Sequence, residues 1–151
     1  LMIVKSLDHL NSIAKKILKK LEIGDCIFLV GDIGVGKTTF TRHLINNLQK
    51  QKGLKETEVL SPTFNLLYEY EIKDLKIMHY DLYRIKNTEE LDHLGIFSDR
   101  LDTIKVIEWP DLIKTPLKNK LEIHLDYSQH ENERNIKFVG FEKWENLEDE
   151  V

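Results

Sequence analysis

At 151 residues, with 41% hydrophobic and 32% charged side chains, the chain has the size and balance of one globular domain, not of a disordered or fibrous segment. Its formal net charge of −4 offers nucleic acid no overall attraction, so any RNA contact has to be local or made through a partner. The lone cysteine, Cys26, excludes an internal disulfide and fits a reducing cytoplasm. No apolar run approaches the ~20 residues of a membrane span, and Lys5 and Asp8 come too early for a signal peptide. One domain over residues 1–151 is expected, monomeric when alone. Residues 1–5 form its N-terminal strand or arm, and 142–151 an acidic tail without an assigned role.

Residues 6 to 22 carry Leu7, Leu10, Ile13, Ala14, Ile17, Leu18 and Leu21 at helical spacing, with Ser6 as cap and Gly24 beyond the end. Lys15, Lys16, Lys19 and Lys20 share the other side, either as a solvated face or as a patch for RNA or an acidic partner. Cys26 to Val30 is a continuous apolar strand, so Cys26 reads as a small core residue. Directly after it comes Gly31-Asp32-Ile33-Gly34-Val35-Gly36-Lys37-Thr38, and then a helix over residues 37 to 50 with Phe40, Leu44, Ile45 and Leu48 facing inward. This is G-x-x-x-x-G-K-[ST] in the strand–loop–helix context of a P-loop. Its glycines let successive N–H groups point at one centre, and the helix adds its positive end. Lys37 can reach the β- and γ-phosphates, and the Thr38 hydroxyl is suited to Mg²⁺. A nucleoside triphosphate is the expected ligand.

Asn65–Ile72 and Leu75–Tyr80 read as a hairpin around Lys73-Asp74. Thr88 opens a short helix that Gly95 ends, and another is expected over 96–101. Thr103–Ile107 is a strand ending at Glu108, and Leu121–Leu125 and Ile136–Phe141 pair across the polar loop 128–133. A short acidic helix is expected in the tail from Glu142. The fold class is α/β: a three-layer P-loop NTPase domain with a mixed, mainly parallel sheet and an antiparallel hairpin.

A P-loop requires a carboxylate near Mg²⁺, usually at the end of a neighbouring buried strand. Glu108, held by Trp109-Pro110, and Asp81, after Ile77-Met78-His79-Tyr80, both qualify; as alternatives, each is a strand-end or turn acid. Thr63, in Ser61-Pro62-Thr63, is a candidate for sensing the γ-phosphate or simply a turn residue. Arg42, Arg84, Arg100 and Arg134 offer no obvious arginine finger; Arg84 is expected to pair with Asp81 or another acid. His79 is expected to orient a neighbour, and Tyr68, Tyr70, Tyr80 and Tyr83 to pack the hairpin.

Gly31 to Arg42, Ser61-Pro62-Thr63-Phe64, Glu90 to Gly95, His79-Tyr80-Asp81-Leu82-Tyr83-Arg84 and Val106-Ile107-Glu108-Trp109-Pro110 together resemble the TsaE (YjeE) family over roughly residues 6 to 140. The resemblance implies an Mg²⁺-dependent ATPase of threonylcarbamoyl-adenosine modification of tRNA. Such a protein works with TsaD and TsaB and resets their complex between turnovers, touching tRNA only through it. It further implies that Gly31, Asp32, Gly34, Val35, Gly36, Lys37, Thr38, Thr39 and Trp109 serve the nucleotide, that Thr38 and Glu108 hold Mg²⁺, and that Asp81, Glu108 and Thr63 serve hydrolysis.

Three other readings compete. A regulatory GTPase would use Asp92-His93-Leu94-Gly95 and Asn119-Lys120-Leu121-Glu122, but the first lies in a helical stretch and the second has Glu where Asp reads guanine. A small-molecule or nucleotide kinase normally gathers several arginines around the phosphates, and here they are scattered. A nucleotide-gated adaptor without turnover would carry the same loop.

Overall fold

The apolar run at residues 26–30 becomes the middle strand of a seven-stranded sheet. The computed structural model describes residues 1–98 and 102–151. Its strands are β1 (Met2–Val4), β2 (Cys26–Gly31), β3 (Leu67–Ile72), β4 (Leu75–Asp81), β5 (Thr103–Glu108), β6 (Lys120–Tyr127) and β7 (Arg134–Gly140). They lie in the order β1-β7-β6-β2-β5-β4-β3. The central four, β6, β2, β5 and β4, run parallel. Antiparallel pairing finishes both edges, with the β3–β4 hairpin on one side and β7 followed by β1 on the other. The N-terminal residues are thus a strand.

Four helices accompany the sheet in the described residues: α1 (Leu7–Leu18), α2 (Lys37–Gln51), α3 (Glu89–His93) and α4 (Leu147–Glu150). Ser6 caps α1 by accepting the His9 N–H at 3.0 Å. The helix stops four residues short of the expected end. The N–H groups of Lys20 and Leu21 bond carbonyls three residues back, so the last turn tightens and closes. At the end of α2, Gly53 adopts φ 73° and its neighbour Leu54 donates to the Gln49 carbonyl at 2.8 Å, a left-handed cap that favours glycine. Of the helix expected over 96–101, residues 96 and 97 form a turn and 99–101 lie outside the described residues.

Strand alternation gives the sheet two cores. Ile27, Leu29, Ile77, Ile104 and Val106 pack with Ile13 of α1 and with Phe40 and Leu44 of α2. Cys26, Phe28, Met78, Tyr80 and Ile107 face the other way, against Leu82, Ile85, Leu91 and Ile96. That second face is covered mostly by irregular chain and the five-residue α3. Burial there pushes the Cys26 thiol up to about 12, and Lys105 and Lys120 offset this only in part. Cys26 is therefore expected to resist a disulfide reagent at pH 8 in the native protein and to react fully after denaturation, as counted by released thiolate. Rapid labelling of the native chain would contradict the packing.

The acidic tail docks on the lysine face of α1. Trp144 and Leu147 are buried in the first core. Lys20 Nζ bonds Glu150 at 2.5 Å and the Lys143 carbonyl at 2.7 Å, and Lys16 Nζ reaches the Val151 carbonyl. Lys15 and Lys19 stay exposed. Surface ion pairs contribute only about 0–1 kcal/mol each, so the apolar anchors hold the tail.

Candidate active site

Three chain segments meet at the C-terminal ends of the parallel strands, where α/β sheets bind ligands. In register, Glu108 of β5 lies between Leu29 of β2 and Asp81 of β4. Both acids sit on the face that carries α1 and α2, because Ile77 and Asp81, and Ile104 and Glu108, are even steps apart. The P-loop starts at the end of β2. A Cβ on Gly31 would fall 2.5 Å from the Leu125 carbonyl oxygen, so only glycine lets the loop turn against β6. Gly36 occupies the N-cap of α2 and supplies no side-chain acceptor, which leaves the first N–H groups of the helix for a ligand.

Lys37 is only 4% exposed. Its Nζ donates to the Gly31 carbonyl and to the Asp32 carbonyl at 3.3 Å, and it lies 3.8 Å from the centre of the Trp109 ring. Burial lowers its pKa, while Glu108 and Asp81 oppose the shift. Trp109 itself holds a left-handed φ of 56° just before Pro110, a conformation that costs a bulky residue energy. It packs on Tyr83, with ring centroids 4.8 Å apart. From the opposite side, Tyr127 donates to the Ile33 carbonyl at 2.7 Å and Arg134 Nε to the Val35 carbonyl at 3.0 Å. These two side chains brace the loop from the β6–β7 hairpin.

Glu108 is buried, and one of its oxygens accepts from Thr38 Oγ1 at 2.9 Å and meets His79 Nε2 at 2.7 Å. His79 is fully buried and its Nδ1 has no partner, so the contact with Glu108 is the imidazole's anchor. Asp81 accepts from Thr63 Oγ1 at 2.8 Å and from the Tyr83 N–H at 2.9 Å. Thr63 in turn shares a 2.8 Å hydrogen bond with Ser61.

A cleft of about 250 Å³ joins these groups. Gly34, Gly36, Lys37, Thr38, Thr39, Thr63, Asp81, Glu108 and Trp109 all line it. Gly31, Asp32 and Val35 do not; within the loop, the first two offer carbonyls to Lys37 and the third to Arg134. Ile33 and Ser61 also line the cleft without having been singled out as site residues, and Tyr83, expected to pack the hairpin, lies beyond its end and lines the cleft beside Trp109. Arg84 departs from expectation. The oxygens of Asp81 are filled by Thr63 and Tyr83, and the exposed Arg84 guanidinium lies 5.3 Å from the Phe64 ring centre. Asn119-Lys120 stands opposite Cys26, at the start of β2, so it is at the far end of the sheet from the P-loop and cannot read a base there.

Among the described residues, no group of three or more His, Cys, Asp or Glu side chains is placed to hold a metal. Thr38 and Glu108 instead present two adjacent oxygens, which suits Mg²⁺, an ion that combines few protein oxygens with water and phosphate.

Comparison with known proteins agrees with this geometry. The family described as "Threonylcarbamoyl adenosine biosynthesis protein TsaE" matches residues 4–136. Relatives named tRNA threonylcarbamoyladenosine biosynthesis protein TsaE include one from Rickettsia felis, 36% identical over 83% of this chain and 72% of its own. Another, from Aquifex aeolicus, is 32% identical over 90% of this chain and 92% of its own. The crystal structure of Bacillus subtilis YdiB superposes with a TM-score of 0.70 at 28% identity, covering 99% of this chain and 90% of that one. The P-loop, the two strand-end acids and the extent of these matches make the chain a member of the TsaE family.

Proposed function

We propose that this protein binds ATP with Mg²⁺ and hydrolyses it in the service of threonylcarbamoyladenosine modification of tRNA, acting in the cytoplasm with TsaB and TsaD and resetting their complex between turnovers. One observation carries the reading: Lys37, Thr38, Asp81 and Glu108 converge on a single cleft at the mouth of a P-loop. The relatives' shared name supports the pathway.

Phosphoryl transfer to water depends on positioning and on charge neutralisation at the β- and γ-oxygens. The α2 N-terminus and Lys37 supply positive charge there. Thr38 and Glu108 would hold Mg²⁺, which adds charge neutralisation on the phosphate oxygens when bound. His79 keeps the Glu108 carboxylate turned towards Thr38. Asp81 and Thr63 face the same space and are suited to orienting the attacking water. Arg42 donates to the Val59 carbonyl, Arg84 lies on Phe64 and Arg134 braces the loop, so none of these three reaches the cleft. With no arginine finger among the described residues, turnover by the protein alone is expected to be slow and to rise with a partner.

The test is Mg²⁺-dependent ATP hydrolysis by the protein alone and with purified TsaB–TsaD. Low activity that rises with the pair supports the proposal. Partner-independent turnover, or transfer of phosphate to a small molecule, returns the protein to the kinase class, and binding without turnover in either case makes it an adaptor. Asp81→Asn is expected to keep ATP binding and to lower stimulated turnover about a hundredfold, the lower end of the range for losing a positioned acid–base group. Unchanged stimulated turnover would leave Asp81 a structural role only.

A further inference from the structure

His79 is fully buried and does not line the cleft, although both neighbours of its side chain, Asp81 and Glu108, do. It lies two residues before Asp81 on β4, so both side chains leave the same face of the sheet, with Asp81 at the cleft and His79 one step deeper. Its polar atoms meet the site at one point, where Nε2 stands 2.7 Å from Oε2 of Glu108. Resting on the reading of Glu108 as a holder of Mg²⁺, we propose that His79 is a positioning residue for that carboxylate: its ring carries the proton on Nε2, donates it to Oε2, and so leaves the other oxygen, Oε1, for the metal.

The place of the proton follows from both ends of the contact. An ionised carboxylate can only accept, so Nε2 has to donate. Nδ1 is buried and has no hydrogen-bond partner. A proton there would be a buried donor left unsatisfied, whereas a bare ring nitrogen holds only an idle lone pair. One tautomer therefore serves both atoms.

The division of labour between the two carboxylate oxygens is visible as well. Thr38 Oγ1 donates to the same Oε2, at 2.9 Å. Among the described residues, no hydrogen bond reaches Oε1. The two donors come from different elements, α2 and β4, so the carboxylate cannot rotate without breaking both bonds. A ligand oxygen held in this way meets a cation already oriented, which is the role of a group behind a metal ligand. Because His79 does not line the cleft, its influence on bound ATP runs through Glu108. Glutamine can imitate this contact, since its amide nitrogen lies as many bonds from Cβ as Nε2 does. Asparagine cannot, since its amide stops at the place of Nδ1.

Nitrogen NMR of the wild-type imidazole is expected to find the proton on Nε2 and Nδ1 bare. A proton on Nδ1 would overturn the proposal, and this measurement requires no variant to fold. Calorimetric titration with ATP, in Mg²⁺ and in EDTA, then reads the positioning role without turnover. In His79→Asn the gain in ATP affinity that Mg²⁺ brings is expected to shrink about ten- to hundredfold, the scale for removing the partner of a metal ligand, while affinity in EDTA changes far less. His79→Gln is expected to keep most of the gain. A purely structural histidine would instead lower the melting temperature of both variants and move affinity alike in both buffers. A full gain in His79→Asn, or a gain lost from His79→Gln with its fold intact, would overturn the positioning role and leave the reading of Glu108 standing. Wild-type affinity indifferent to Mg²⁺ would overturn both.

Discussion

Lys37→Ala is expected to weaken ATP binding about a hundredfold to ten-thousandfold, because two charge-assisted hydrogen bonds to phosphate are lost at about 1.5–3 kcal/mol each. The structure explains why the loss should be confined to the ligand. Lys37 Nζ donates only to loop carbonyls and stacks on Trp109, and those carbonyls can be satisfied by water once the side chain is gone. Burial lowers the lysine's pKa, so its ammonium carries a desolvation cost in the free protein that phosphate oxygens would offset. Thermal melting is therefore expected near that of the wild type while calorimetric titration with ATP shows little heat. The same geometry supplies an optical readout. A phosphate that draws Nζ away from the indole changes Trp109 emission, whereas Trp144 is buried in the first core. ATP affinity that survives the substitution would remove Lys37 from the phosphate site.

The parts of this site legible in the sequence are those governed by local pattern. The P-loop is eight consecutive residues, and β4 and β5 announce themselves as short apolar runs ending in an acid. Parallel pairing then sets Asp81 beside Glu108 without further instruction. Edge residues were less legible, because strand pairing extends over polar positions: β6 runs two residues past Leu125, and β7 begins at Arg134, not Ile136. What could not be read are contacts between residues far apart in the chain. Tyr127 reaches Ile33 and Arg134 reaches Val35 across more than ninety residues, and no periodicity reports that. The docking of the acidic tail on Lys16 and Lys20 is of the same kind. Arg84 failed as a partner of Asp81 for a different reason. A nearby backbone N–H and the Thr63 hydroxyl fill the carboxylate at lower entropic cost than a long side chain would.

Glu108→Gln is expected to lower Mg²⁺-dependent turnover about a thousandfold or more, the scale of charge stabilisation that a bound divalent ion supplies. ATP binding itself should survive in part, since Lys37 and the loop N–H groups are untouched. Comparison with Glu108→Ala separates chemistry from architecture. Glutamine keeps an oxygen near Thr38 and His79, so the buried hydrogen-bonding groups retain a partner. Alanine strips both, and leaving a buried donor unpaired costs about 1–3 kcal/mol, visible as a lower melting temperature. Asp81, though adjacent in the sheet, is tied to Thr63 and the Tyr83 N–H and not to the Thr38 hydroxyl, so it does not complete the pair of oxygens that Glu108 makes with Thr38. The two variants should thus share a loss of turnover and differ in stability. Turnover at the wild-type rate in the glutamine variant, with its fold intact, would remove Glu108 from any metal role and leave it as the support of Thr38 and His79 alone.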